Sequence, residues 1–427
     1  MKILIISKEA WRNEENGGNV LTNLFSNFDA DFAQIYCTEK EPNNNICKHY
    51  YQMTDRMVFN NIFKKTAVGT VKKYKNFPLD TSAGKESFGG VKRLGLESIR
   101  VLRDTGWKLA KWKTKKLKDF VQKFNPDIIF APTYGYHHML NLTEYVAEIT
   151  NAPIVSYISD DIYTNRQLSI SPIFWIRHFN MRKHIRRVFK LYDFVYTMTD
   201  EQKVQCERDF SAKMKILRKG GEFSENLEKK KVNQPIRFVF AGNLYVNRWK
   251  TLVSLSETIK KINSNHTYMT LDIYTNTELN KKATEKLNSN GNVKIHSVVP
   301  IQTLKEIYRE SDIALHVEGF DIKSRNIVRL SFSTKIIDCL DSGCAVMAIC
   351  DEKQAGLAYL RRNDAAICIS NLKNIETVLR KILKNPDILI EYQHKAFALG
   401  RKTHNQKKNT QSIKKDFMGL LNQQRRR

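Results

Sequence analysis

Two clusters in this chain have the residue types and spacing to hold a diphosphate. The first is Ser333-Thr334-Lys335, followed by Ile336, Ile337 and Leu340 at helical spacing, then Gly343 and the apolar run Ala345 to Ile349. The pattern predicts a loop, a short helix capped by Ser333 or Thr334, a glycine stop and a buried strand. A hydroxyl-rich helix start offers free backbone N–H groups and the positive end of the helix dipole, and Lys335 adds a full charge. The glycines that precede Lys-Ser/Thr in a Walker A loop are missing, which excludes that motif. The second cluster is the strand-like run Phe238 to Ala241, then Gly242, then Arg248 and Lys250 two positions apart. Fixed cations there would stabilise charge developing on a nucleoside diphosphate leaving group without a metal.

Other candidates are carboxylates and imidazoles at strand ends. Glu318, in His316-Val317-Glu318-Gly319, could accept sugar or ribose hydroxyls, and Asp338 stands on the short helix after Lys335. Asp160 and Asp161 close the run that begins at Pro153, while Tyr134, His137 and His138 follow the run ending at Ala131. An aspartate or histidine so placed orients or deprotonates an acceptor hydroxyl. The spacing of His137, His138, Asp160 and Asp161 fits no standard metal set, and no metal is expected. Gly17 and Gly18, after the first strand, let the backbone approach a ligand, but they do not form Gly-x-Gly-x-x-Gly, which argues against a dinucleotide. Each feature also has a plain structural reading: turn glycines, helix-capping acids, core histidines and solvated lysines.

The elements that must position these residues alternate. Strand-like runs at Lys2–Ser7, Phe32–Cys37, Asp127–Ala131, Ile154–Ser159 and Phe194–Met198 are separated by amphipathic segments. The pattern restarts at Ile236–Ala241, Leu271–Tyr274, Val293–His296, Ile313–Val317, Ala345–Ile349 and Ala366–Ile369. Two sets of parallel βαβ units follow, an α/β class with two Rossmann-like domains. A length of 427 residues also calls for two cores. The expected boundaries are 1–219, a linker at 220–235, 236–399, and a basic C-terminal helix at 400–427. Residues 50–118 lack strand periodicity and read as a basic insertion of helices and loop.

The net charge is +27, and it is uneven. Residues 64–118 hold sixteen Lys/Arg against four acids, residues 177–190 six against none, and residues 401–427 nine against Asp416 alone. Such patches suit an anionic lipid surface, nucleic acid or an acidic glycan. A lysine-rich soluble protein is the plain alternative. The helix expected from Pro172 to Phe189 would gather Phe174, Trp175, Phe179, Ile185 and Phe189 on one side, which fits either a membrane interface or packing on a sheet. No helix-turn-helix, zinc-finger or RRM signature supports nucleic acid. There is no 18-residue apolar run and no Cys-x-x-Cys among the seven cysteines, so reduced thiols in a cytoplasmic protein are expected.

Ser-Thr-Lys, an apolar pair, Asp338, Leu340, Gly343 and an apolar strand together resemble the donor-site motif of GT-B glycosyltransferases of the family 4 kind. The glycine-rich first loop and the Gly242–Lys250 start resemble the same family, and the likeness extends weakly over nearly the whole chain. It implies two domains facing across a cleft, a C-terminal helix crossing back to the first domain, and a hexosyltransferase-type activity in surface polysaccharide synthesis. It also implies retention of anomeric configuration and no cofactor. The donor would be a nucleotide-sugar, UDP- or GDP-linked, and the acceptor a glycan or polyprenyl-linked glycan, served from the inner face of the plasma membrane. Gly242, Arg248, Lys250, Ser333, Thr334, Lys335 and Asp338 would bind the donor, and Glu318, Asp160 and Asp161 would be catalytic. Gly17, Gly18, Tyr134, His137 and His138 would line the acceptor side. The family's paired glutamates are incomplete here, because the first falls on Leu330. That departure permits an inactive GT-B scaffold as an alternative, beside a basic nucleic-acid-binding protein.

Overall fold

The computed structural model describes residues 1–13, 16–73, 96–224, 227, 231–279, 281–288 and 291–424. The chain forms two compact units. The first comprises Met1–Met198, Lys203–Leu217 and Lys407–Arg427, and the second Thr199–Gln202 and Arg218–Gln406.

The first unit contains β1 (Lys2–Ile6), α1 (Asn16–Phe25), β2 (Asp31–Tyr36), β3 (His49–Gln52), α2 (Asp55–Lys64), β4 (Thr70–Lys73), α3 (Leu96–Leu109), α4 (Lys115–Phe124), β5 (Ile128–Phe130), α5 (His137–Ile149), β6 (Ile154–Ile158), α6 (Pro172–Phe189), β7 (Tyr192–Thr197), all but the first turn of α7 (Asp200–Asp209) and β8 (Lys213–Ile216). Its sheet runs β4-β3-β2-β1-β5-β6-β7-β8, parallel except for the β3–β4 pair. The order reverses direction between β1 and β5, which makes the C-terminal ends of those strands a natural ligand crevice. The segment 50–118, read from sequence as helices and loop, therefore contributes two strands. Tyr50, Tyr51 and Gln52 of β3 are all buried, so no polar–apolar alternation marks the strand. Part of that segment, 74–95, lies outside the described residues.

The second unit contains β9 (Ile236–Ala241), α8 (Arg248–Ile262), β10 (Met269–Tyr274), α9 (Lys281–Asn288), β11 (Val293–His296), α10 (Ile301–Glu310), β12 (Ile313–Val317), α11 (Ile322–Val328), α12 (Lys335–Asp341), β13 (Ala345–Ile349), α13 (Ala355–Arg362), β14 (Ile367–Ile369), α14 (Ile375–Lys384) and α15 (Ile388–Thr403). The sheet is wholly parallel in the order β11-β10-β9-β12-β13-β14, with its switch point between β9 and β12. β12 and β13 are buried along their whole length, as expected for strands covered by helices on both faces.

The last helix, α16 (Gln406–Gln424), packs almost entirely within the first unit. Phe417 meets Phe28 with ring centroids 5.9 Å apart, and Asp416 accepts from the Tyr196 hydroxyl at 2.7 Å and pairs with Lys215. Among the described residues no helix is long and apolar enough to cross a membrane.

Candidate active site

In the second unit the chain leaves β9 at Ala241, the strand on one side of the switch point, and turns through Gly242 to Asn247 into α8. Val246 and Asn247 both hold left-handed backbone, with φ of 55° and 56°. For a β-branched residue such as Val246 this is a strained conformation, and strain of this kind collects at functional turns. Neighbours pin the turn. The Asn247 side-chain amide donates to Asp321 at 2.7 Å, and a Cβ added at Gly319 would lie 2.3 Å from the Val246 carbonyl oxygen. Glycine at 319 is therefore what lets the two loops meet.

The pinned turn aims Arg248, the first residue of α8, at the end of β12. Its Nε and Nη2 donate to the two carboxylate oxygens of Glu318, each at 2.9 Å, and its Nη1 donates to Asn243. Thr251, one helical turn on, donates to the Glu318 carbonyl at 2.7 Å. Glu318 is 4% exposed. Burial pushes its carboxyl above the usual range, and Arg248 opposes that shift. Glu318 was expected to take sugar or ribose hydroxyls. In the structure each of its oxygens takes one N–H of the Arg248 guanidinium.

Lys335 brings the second cation to the same strand ends. Its Nζ donates to the Ala241 carbonyl at 2.6 Å, and a Cβ at Gly242 would lie 1.5 Å from that nitrogen. Burial, then the charge of Arg248, pushes the Lys335 ammonium down to about 8. His316, buried in β12, is pushed down to about 3 by burial, Arg248 and Lys335, and is neutral. Two cations, Arg248 and Lys335, thus stand near enough at the switch point for the charge of Arg248 to help push the Lys335 ammonium down. Gly242→Ala should displace the ammonium and lower donor affinity about tenfold or more, a single misplaced charge-assisted hydrogen bond. Calorimetric titration with a nucleotide-sugar measures it, and unchanged affinity would show that Lys335 does not need the notch.

The other expected donor residues make contacts of their own. Lys250 is exposed on α8, with its Nζ 5.7 Å from the ring of its neighbour Trp249. Asp338 pairs with Lys219 at 3.1 Å and lines a cavity of about 320 Å³ with Tyr308, Asp341 and Phe397. Ser333 and Thr334 do precede α12, but Thr334 makes no side-chain cap, and α12 spans only seven residues. The Ile336 and Ile337 N–H groups already donate to the Ser333 and Thr334 carbonyls at 3.0 and 3.1 Å. The lysine side chain, not a free helix end, is what this segment brings to the site. Asn243, Thr251 and Gly319 were missed as supports of Arg248 and its turn; the glycine after Glu318 was the one available signal.

In the first unit Tyr134, His137 and His138 follow β5 at that unit's own switch point. His137 is half-buried, and its Nδ1 lies 2.9 Å from His184 Nδ1; His184 Nε2 in turn lies 3.1 Å from Glu144. Burial lowers His137 below its ordinary value, against the pull of Asp104. His138, expected on the acceptor side, is 1% exposed and stacked on Trp107 at 4.7 Å, a core residue. Burial likewise raises the Tyr134 hydroxyl well above its usual range. Asp161 was expected to be catalytic, yet its carboxylate takes the Thr164 N–H at 2.9 Å, the Tyr163 N–H at 3.3 Å and the Thr164 hydroxyl, which commits it to holding a turn. Asp160 beside it is exposed and accepts from Ser159 at 3.1 Å. Gly17 and Gly18 fall in the first turn of α1, and residues 14 and 15 before them lie outside the described residues. Among the described residues no three His, Cys, Asp or Glu side chains gather as a metal set.

No protein-family model matches the sequence, and no curated protein matches it. Solved structures do. Sucrose-phosphate synthase from Thermosynechococcus elongatus superposes with a TM-score of 0.65 at 10% identity, over 98% of both chains. Anabaena HepE in complex with UDP and glucose gives 0.61 at 12% identity, over 98% of this chain and 100% of that one. TarM gives 0.61 at 13% identity, over 99% and 98%. At such identities the likeness speaks to architecture, and the architecture is the GT-B fold of two Rossmann-like, parallel-sheet domains.

Proposed function

We propose that this protein is a nucleotide-sugar glycosyltransferase whose donor diphosphate is held by Arg248 and Lys335. The observation that carries the reading is the pair of cations brought to the β9–β12 switch point of the second unit, one braced by Glu318 and the other seated against Gly242. Two proteins of the same fold support it: HepE was solved with UDP-glucose and a trehalose-6-phosphate protein from E. coli with UDP-2-fluoro glucose. In the reaction the bond between the anomeric carbon and the diphosphate oxygen breaks, and the nucleoside diphosphate leaves with the electron pair. A bond forms from the acceptor oxygen to the anomeric carbon, and the acceptor's proton is lost. Arg248 and Lys335 stabilise the charge gathering on the leaving group, so no metal is needed.

The finer reading is a retaining hexosyltransferase acting on a glycan or polyprenyl-linked glycan in surface polysaccharide assembly, with a UDP- or GDP-sugar as donor. It works in the cytoplasm, which suits seven unpaired cysteines. Thermal unfolding in the presence of UDP-, GDP-, ADP-, CMP- and TDP-sugars tests it directly. The cognate donor at a hundred times its Kd should add about 2.7 kcal/mol of stability. No shift with any of them would sink the donor site. A shift without transfer to any acceptor would leave an inactive scaffold.

A further inference from the structure

We infer that the start of α6 and the loop before it form a membrane-docking edge for an anionic bilayer. This surface extends the acceptor side of the proposed function, but it is carried by the first unit alone and is tested without measuring transfer.

The apolar stripe expected along α6 divides in two. Ile185 and Phe189, with Met181 and Val188, are buried against the unit's core. Of the first half, Phe174 and Trp175 are half-buried and Phe179 faces water, joined there by residues outside the expected stripe. Ile170 is fully exposed, Ile176 is 64% and Phe179 53% exposed, and Leu168 and Ile173 stand beside them. This tip is built rather than frayed. The Trp175 indole N–H donates to the Ser169 carbonyl at 2.8 Å, Ser171 accepts from the Phe174 N–H, and Trp175 packs edge-on to Phe174 with centroids 5.2 Å apart. A loop with Leu168 and Ile170 is thereby tied to an aromatic helix start. A soluble surface rarely gathers so many large apolar groups without a partner.

The charge around the tip identifies that partner. No Asp or Glu occurs between Asp161 and Asp193, a stretch with seven Lys/Arg. Neighbouring helices supply acids to two of them, as Asp104 faces Arg177 and Glu144 pairs with Arg187. Arg166, Lys183 and Lys190 are exposed. Along the outer face of α6 the residues read Ile173, Ile176, Phe179, Lys183, Arg187 and Lys190, at three- and four-residue steps, so an apolar end is continued by a basic stem. Apolar groups at the headgroup boundary, with cations against lipid phosphates behind them, are the elements of interfacial docking.

Vesicle flotation of the full chain tests this. Phosphatidylcholine vesicles containing phosphatidylglycerol should bind about tenfold or more tightly than phosphatidylcholine alone at low salt. Replacing Ile170, Ile176 and Phe179 together with serine should weaken that binding about tenfold or more, with thermal unfolding unchanged because all three side chains are exposed. Val204→Ser, an exposed apolar residue on α7, should leave binding as it is. Tryptophan emission should shift to the blue on anionic vesicles, and Trp175→Phe should remove the shift. Equal binding to both vesicle types overturns the proposal, as does a triple variant that binds like the parent. Self-association abolished by the triple variant, with no vesicle binding, overturns it in favour of a protein-binding face.

Discussion

Lys335→Met is expected to lower kcat/KM for sugar transfer by about 10²–10³-fold, the range for removing one preorganised group that meets developing charge. Methionine keeps much of the side-chain volume in the notch at Gly242 and removes only the ammonium, so the loss should appear with the fold intact. The pH profile gives an independent check. With the ammonium pushed down to about 8, donor affinity falls as pH rises through that region, and Lys335→Met should erase that limb. Stability moves the other way. A lysine near 10.5 when unfolded and about 8 when folded binds more protons in the unfolded chain between those values, so the ligand-free protein gains stability as pH rises across the window. Opposite slopes for affinity and stability are what a buried, ligand-seeking lysine produces. Parallel slopes would mean that Lys335 is not the titrating group. Lys335→Arg should not rescue, because a Cβ-sized space at Gly242 is already filled by the lysine and leaves no room for a guanidinium.

Arg248→Ala is expected to abolish measurable transfer and also to destabilise the second unit by about 3–5 kcal/mol, since it strands a buried carboxylate. Glu318 has the burial to make that cost felt, at 4% exposed, and the guanidinium supplies a hydrogen bond to each of its oxygens. Replacing both residues, Arg248→Met with Glu318→Leu, should recover much of the stability and none of the activity. Thermal unfolding and a transfer assay on the same three proteins separate the two effects. Recovery of transfer in the double variant would remove Arg248 from the donor site.

Most strands were legible from sequence because a strand buried on both faces writes an uninterrupted apolar run, as Ala345–Ile349 does. The order of the strands, and with it both switch points, is set by pairing that the alternation does not specify. β3 escaped because its buried residues are two tyrosines and a glutamine, and its periodicity is therefore silent. The cations Arg248 and Lys335 were readable as types. Their division of labour was not, because it depends on the register that sets Ile313 of β12 beside Phe238 of β9 and so brings Glu318 to a residue seventy positions earlier. Lys250 looked equivalent to Arg248 in sequence, but two residues along a helix rotate the side chain far from the first one's direction. The same geometry separates His137, half-buried beside His184, from His138, which lies in the core.

The seating of Lys335 against Gly242 also constrains how descendants of this sequence can vary. Any side chain gained at position 242 collides with a long one at 335, whereas a short residue at 335 opens the space that a larger 242 would fill. Neither position is free to drift first toward bulk. Across diverging lineages the two should be exchanged as a pair, although 93 positions separate them in the chain and no backbone hydrogen bond between them would betray the link.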